Sequence, residues 1–433
     1  MQPTDIGWLA IGALAALLLL RVPVAFAMLT VGFFGYIGIG GVEAALGVVG
    51  LMVHASLVKY ALTVVPLFIL MGHLAHHAGF AADIFTTGQR WLGHWPGGVV
   101  HATIAGAASF GAASGSGIAA CATVSKVTIP EMLALGVDRR LAFGSVAAAG
   151  TLATMIPPSI LMIIYGIVTE QSIAHLLIAG ILPGCVIALI YMATVYLKVR
   201  LDPTLCPRQE RASWRERLVA VKGVAGIGAL AFVVIGGIYT GWFTPTEAGA
   251  FGAFAAFLLA LATRRLSWDQ LRDSLLETAR TTGMVYFIVA AAFVFGTFLA
   301  TTRLPTNISE LIVNADVNRY AILIAIVAFY IALGCFIDPL PGMILTLPII
   351  FPAIVSLGFD PIWFGILLIY LSELAMITPP FGLHLFVLKG IFQDAEINEV
   401  IFGAVPFIMA AVVILFILIA FPEVALWLPS QML

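Results

Sequence analysis

Phe110-Gly-Ala-Ala-Ser-Gly-Ser-Gly-Ile118 stacks glycine and serine inside strongly apolar surroundings. Glycine weakens a helix by about 1 kcal/mol relative to alanine, and serine hydroxyls compete for backbone hydrogen bonds. So dense a cluster predicts that the helix stops, turns and exposes its backbone. Inside a bilayer, exposed backbone survives only where protein or a water-filled cavity satisfies it.

A second break, Leu333-Gly-Cys-Phe-Ile-Asp-Pro-Leu-Pro-Gly342, lies in the other half of the chain. Downstream of each break the sequence repeats without a gap. Pro130, Gly136, Asp138 and the pair Pro157-Pro158 match Pro352, Gly358, Asp360 and Pro379-Pro380 at one constant offset. Shared apolar composition produces matched leucines, but it rarely produces matched Gly, Asp and Pro-Pro together. The chain therefore reads as an internal duplication, and paired interrupted segments point to a transporter's binding site. Small-residue helix packing is the simpler account of one such cluster; the matched pair favours a built break.

Composition gives the setting. Of 433 residues, 62% are hydrophobic and only 10% charged, against about 25% charged in a soluble domain. This predicts an all-α polytopic membrane protein with no aqueous domain of its own. The cysteines, Cys121, Cys185, Cys206 and Cys335, lack metal or redox spacing. Residues 5–20 lack a basic leader and cleavage site and read as a first span.

Hydropathy and punctuation predict about ten spans plus two re-entrant hairpins. The hairpins cover 97–135, turning at 114–117, and 319–357, turning near 336–340. Residues 42–59, 80–95, 266–280 and 304–317 read as interfacial or amphipathic pieces. In domain terms, 1–60 are scaffold spans with an arm, and 61–197 the first transport region. A basic loop follows at 198–222, then scaffold spans and a second arm at 223–281. The second transport region is 282–425. Lys198, Arg200, Arg208, Arg211, Arg215, Arg217 and Lys222 mark the 198–222 loop as cytoplasmic. Arg264, Arg265, Arg272 and Arg280 fall on the same side two spans later. Counting spans from there puts hairpin one on the cytoplasmic face and hairpin two on the other, an inverted repeat.

Several motifs carry a family resemblance. They are Ser114-Gly-Ser-Gly117, Ile129-Pro-Glu-Met132, Gly150-Thr-Leu152, Ile156-Pro-Pro-Ser159, Tyr165-Gly166 and Gly180-Ile-Leu-Pro-Gly184. In the second half they are Asp338, Leu347-Pro348, Gly358-Phe-Asp-Pro361, Trp363-Phe-Gly365 and Thr378-Pro-Pro-Phe-Gly382. Together they resemble the large membrane subunit, DctM-like, of the tripartite ATP-independent periplasmic (TRAP) transporters, over residues 5 to 425. The resemblance implies an elevator-type, sodium-coupled carrier in the bacterial inner membrane. Its implied partners are a small four-helix membrane subunit and a periplasmic substrate-binding protein that delivers an organic acid, often a carboxylate. It implies no organic cofactor, no catalytic residue and no nucleic acid; membrane lipid is the remaining partner. The family often has a second serine where this chain has Gly117, and a glycine where it has Glu373-Leu-Ala375.

Sodium is a hard cation that takes oxygen ligands. Unwound backbone supplies carbonyls, and nearby Ser and Thr supply hydroxyls. On the resemblance, Ser114, Ser116, Gly117, Gly334, Asp338, Ala375 and Thr378 form the sodium ligand set. Ser114, Ser116, Lys126, Thr154, Pro157, Pro158, Asp338, Thr378, Pro379 and Pro380 surround the substrate. Lys126 has two readings, a partner for a substrate carboxylate or a lysine that snorkels. Glu373 either pairs with a neighbour or lines the cavity. His54, His73, His76, His77, His94 and His101 read as interfacial, without acid partners at ligand spacing. Asp138 and Asp360 read as helix caps. The alternative function is a stand-alone sodium–dicarboxylate symporter of related hairpin architecture. An intramembrane enzyme needs a paired acid–base or metal site, and the sequence offers none.

Overall fold

The computed structural model describes residues 2–314 and 317–432, without the side chains at 112–114 and 312–314. Helices follow one another with short connections, and no strand occurs among the described residues. The first half comprises α1 (Pro3–Leu19), α2 (Val24–Leu57), α3 (Val64–His77), α4 (Phe80–Leu92), α5 (Gly98–Ser114), α6 (Gly117–Ala134), α7 (Arg139–Met155), α8 (Ile160–Thr169), α9 (Ile173–Ala179) and α10 (Ile181–Leu201). After the basic loop come α11 (Trp214–Tyr239), α12 (Pro245–Ala262), α13 (Trp268–Thr301), α14 (Leu304–Asn314), α15 (Arg319–Gly334), α16 (Pro339–Ser356), α17 (Pro361–Ile377), α18 (Leu383–Ile391) and α19 (Ile397–Ala420).

The duplication is visible in these boundaries. The sequence offset carries α6 onto α16 and α7 onto α17, end for end. Asp138 and Asp360 both cap the helix that follows. Asp138 accepts from the Leu141 N–H at 3.0 Å, and Asp360 from those of Ile362 and Trp363 at 2.8 and 2.9 Å. Both double prolines follow α7 and α17 and hold a cis bond.

The sequence expresses burial most strongly in α7 and α17. Every residue from Leu141 to Met155, and from Trp363 to Ile377, is buried. A helix that is apolar on all sides belongs inside a bundle. On α7, Gly144 meets Gly403 of α19 backbone to backbone, where a Cβ on either would overlap the other's chain. Around this centre, α2 packs along α13 and α3 along α12, while α4 lies between α5 and α11. Ser213, Thr244 and Ser267 start α11, α12 and α13 with reciprocal capping boxes to Glu216, Glu247 and Gln270. Each cap contributes about 1 kcal/mol.

Eight described helices are long and apolar enough to cross a membrane; the bent pair α7–α8, turned by 43°, makes a ninth. α16 passes this test by length and apolarity, yet it follows the second turn as the second arm of its hairpin. Two expected boundaries moved. Residues 42–57 continue α2 beyond a break at Gly41 (φ 80°). Residues 268–301 form one 34-residue helix, joining the amphipathic piece to the span after it. No proline punctuates that junction, so helix propagation wins over the change in polarity. The basic loop is folded onto the base of hairpin one. The Asp138 N–H donates to the Leu205 carbonyl at 2.8 Å, and the Gln209 N–H to that of Gly93 at 3.2 Å.

Candidate functional site

The first turn forms as the glycine and serine content predicts. α5 ends at Ser114, and Gly115 takes the left-handed conformation (φ 62°), its N–H donating to the Gly111 carbonyl at 2.9 Å. That conformation favours glycine, which lacks a Cβ. Ser116 then adopts extended backbone and caps α6, accepting from the Ala119 N–H at 3.5 Å. The side chain of Ser114 lies outside the described residues.

The second turn uses different residues for the same task. α15 ends at Gly334, and Asp338 caps α16 by accepting from the Leu340 N–H at 3.1 Å. Pro339 occupies the first helical position, where a missing N–H costs nothing. Ser116 and Asp338 stand at the repeat offset. The acidic residue in the apolar run is thus a cap, and it also faces a cavity.

That cavity, of about 300 Å³, brings the two turns together. Gly115, Ser116 and Gly117 of the first meet Asp338, Pro339 and Leu340 of the second. Thr154 of α7 and Glu373 of α17 reach it from the two buried helices, and Thr281, Met284 and Val285 of α13 close one wall. Size does not select this site. A pocket of about 520 Å³ between α1, α15 and α16 is larger, but Thr346 is its sole polar side chain.

Gly334, Ala375 and Thr378 form a second group behind hairpin two. Gly334 packs so closely on Ala375 that a Cβ would lie 2.6 Å from the alanine methyl. The Thr378 N–H turns back to the Ala375 carbonyl at 3.1 Å, because Pro379 has no N–H to offer it. Cys335 donates its thiol to the Thr378 carbonyl at 3.8 Å, tying the second turn to this end of α17. In the first repeat, the Pro158 carbonyl faces Gly115, 2.9 Å from where a Cβ would sit. Each double proline thus abuts its own hairpin turn.

Lys126 is exposed on α6 and does not line the cavity. The histidines do find an acid, one remote in sequence. His73 Nδ1 and His77 Nε2 lie 3.0 and 3.3 Å from one oxygen of Glu277 on α13. The Thr123 hydroxyl lies 3.2 Å from His76 Nδ1. No group of three or more metal-ligating side chains forms among the described residues. Sequence reasoning missed the α13 wall and His384. The latter is fully buried, its Nδ1 3.1 Å from the Ala147 carbonyl.

Comparison with known proteins fits this architecture. A family model described as the DctM component of the tripartite ATP-independent periplasmic transporters matches residues 11–424. The chain is 34% identical to the C4-dicarboxylate TRAP transporter large permease protein of Pseudomonas aeruginosa, covering 86% of each chain. It is 33% identical to the ectoine/5-hydroxyectoine TRAP transporter large permease protein of Ruegeria pomeroyi, covering 95% of this chain and 96% of that one. Among solved structures, the YdaH transporter of Alcanivorax borkumensis superposes with a TM-score of 0.58 at 10% identity, over 89% of this chain and 88% of that one. This last likeness is one of fold.

Proposed function

We propose that this chain, which belongs to the DctM family of tripartite ATP-independent periplasmic transporters and is a large permease subunit of the bacterial inner membrane, imports an organic acid together with sodium. As a transporter subunit it is not an enzyme. The observation that carries the reading is the meeting of two duplicated turns in one cavity, with α13 forming one wall. Unwound backbone at such turns supplies carbonyls and helix ends to an ion, and polar side chains to a substrate. Sodium binds among Ser114, Ser116, Gly117 and Asp338 at the cavity, and among Gly334, Ala375 and Thr378 behind hairpin two. The acid occupies the cavity between Ser116, Thr154 and Asp338.

The hairpins with α7, α8, α17 and α18 move as one body against α2, α3 and α11–α13, giving alternating access of the elevator kind. A periplasmic binding protein delivers the acid, and a small four-helix subunit docks on the outer helices. The relatives named for C4-dicarboxylates and for ectoine frame the substrate class as small carboxylates. Each net positive charge carried inward at ~100 mV contributes roughly 2.3 kcal/mol, about a 50-fold gradient, so no nucleotide is required.

The test is uptake into liposomes holding this chain and its small subunit, with the binding protein outside and succinate as probe. Uptake should need an inward sodium gradient and the binding protein. Equal uptake with potassium in place of sodium sinks the coupling. Uptake by the chain alone favours a stand-alone symporter.

A further inference from the structure

Glu373 is a buried carboxylate that the ligand assignments above leave unused. It lies on α17, one turn before the helix ends, and is 2% exposed. Its Oε2 has no hydrogen-bond partner, and no ion pair to it forms among the described residues. An uncompensated charge in such surroundings is costly, so a buried carboxylate recruits a cation or a proton.

The structure supplies a place for one. A Cβ built on Gly117 lies 2.8 Å from Glu373 Oε2, 3.2 Å from Oε1 and 3.3 Å from the Gly150 carbonyl oxygen. Three oxygens from α17 and α7 thus converge on the open face of the glycine at the hairpin-one turn. The same cavity holds Ser116, Thr154 and Asp338. No histidine or cysteine lines it, and apart from the thioethers of Met284 and Met376 its side-chain donors are oxygens, which suits a hard monovalent ion.

We propose that Glu373 and the Gly150 carbonyl form a sodium seat on the face of Gly117. This rests on the transport reading and adds its charged ligand. The seat explains coupling in electrostatic terms. An organic anion entering the cavity meets the carboxylates of Glu373 and Asp338, and like charges at close range repel strongly in a low-dielectric site. A cation seated first removes one of those charges and fastens hairpin one to α17, so acid and cation load together. Glycine is required at 117 because any side chain enters the seat.

The experiment uses the purified full chain in lipid nanodiscs, with thermal midpoints followed against sodium chloride, choline chloride holding total chloride constant. The wild-type midpoint should rise with sodium, and E373Q and G117A should each raise the half-saturating concentration at least tenfold. S372A, on the neighbouring residue, leaves the sodium response unchanged. Should E373Q fail to fold, G117A retains the carboxylate and still reports the seat. Wild-type sodium responses in E373Q and G117A overturn the seat. Sodium-independent uptake by the wild-type complex refutes sodium coupling instead, a separate result.

Discussion

Ser116 and Asp338 occupy the same place in the two repeats, each capping the second arm of its hairpin and each lining one shared cavity. One position carries a hydroxyl and its counterpart a carboxylate. The duplicated backbone is retained while the chemistry at its turns has diverged. An ion and an anion need different ligands, and an inverted pair of identical turns could not supply both.

Capping and charge at Asp338 are separable. Asparagine caps as well as aspartate, whereas alanine forfeits about 1 kcal/mol. D338N should therefore unfold within about 0.5 kcal/mol of wild type, and D338A about 1 kcal/mol below it. Uptake should fall in both by about 10- to 100-fold, the loss expected for a charge-assisted contact. Denaturation and liposome uptake on the same preparations check this. Full uptake by D338N would reduce Asp338 to a cap.

The contact of Gly144 with Gly403 fixes α7 against α19. A methyl at 144 overlaps the Gly403 carbonyl, so G144A should cost about 1–3 kcal/mol through overpacking. Gly283, inside α13, has nothing within 4 Å of a built Cβ. G283A should instead gain about 0.5–1 kcal/mol from helix propensity. Unfolding midpoints that move together in the two variants would contradict this view of the core.

Local chemistry made the turns legible in sequence. Gly115, Asp338 and the double prolines act on their own backbone, so their signals lie where their effects lie. The cavity was legible only in part. Thr281, Met284 and Val285 sit mid-helix with no proline or charge among them, and they become a wall only because α13 reaches the cavity between the turns. The partnership of Glu277 with His73 and His77 was hidden for the same reason, since it spans two distant helices. The continuous α13 was missed because a change of polarity beside Gly283 resembles a boundary, whereas no proline stands there to end the helix.

Lys59, just ahead of α3, pairs with Glu170, at the end of α8, at 3.5 Å. The elevator motion proposed above would separate these two ends. With Cys185, the exposed cysteine, replaced by serine, a K59C/E170C variant should transport almost normally, because exposed ion pairs contribute only about 0–1 kcal/mol. A short bis-maleimide joining the two should abolish uptake. Undiminished uptake after complete cross-linking would show that α3 and α8 keep their distance throughout the cycle.

Met284 offers a way to test the cavity as the substrate's place without touching its charges. It lies on the α13 wall and is 55% exposed, so a larger side chain there should not disturb the fold. Tryptophan there narrows the cavity from its α13 wall. M284W should raise KM at least tenfold, equivalent to about 1.4 kcal/mol of lost binding, and more for bulky acids than for small ones. Its sodium half-saturation should stay near the wild-type value, because Met284 is not among the proposed cation ligands. Met409, 67% exposed on α19 and away from the cavity, is the control, and M409W should leave KM unchanged. If M284W carries every acid with wild-type KM, the substrate does not pass between α13 and the hairpin turns, and the acid must bind elsewhere in the chain.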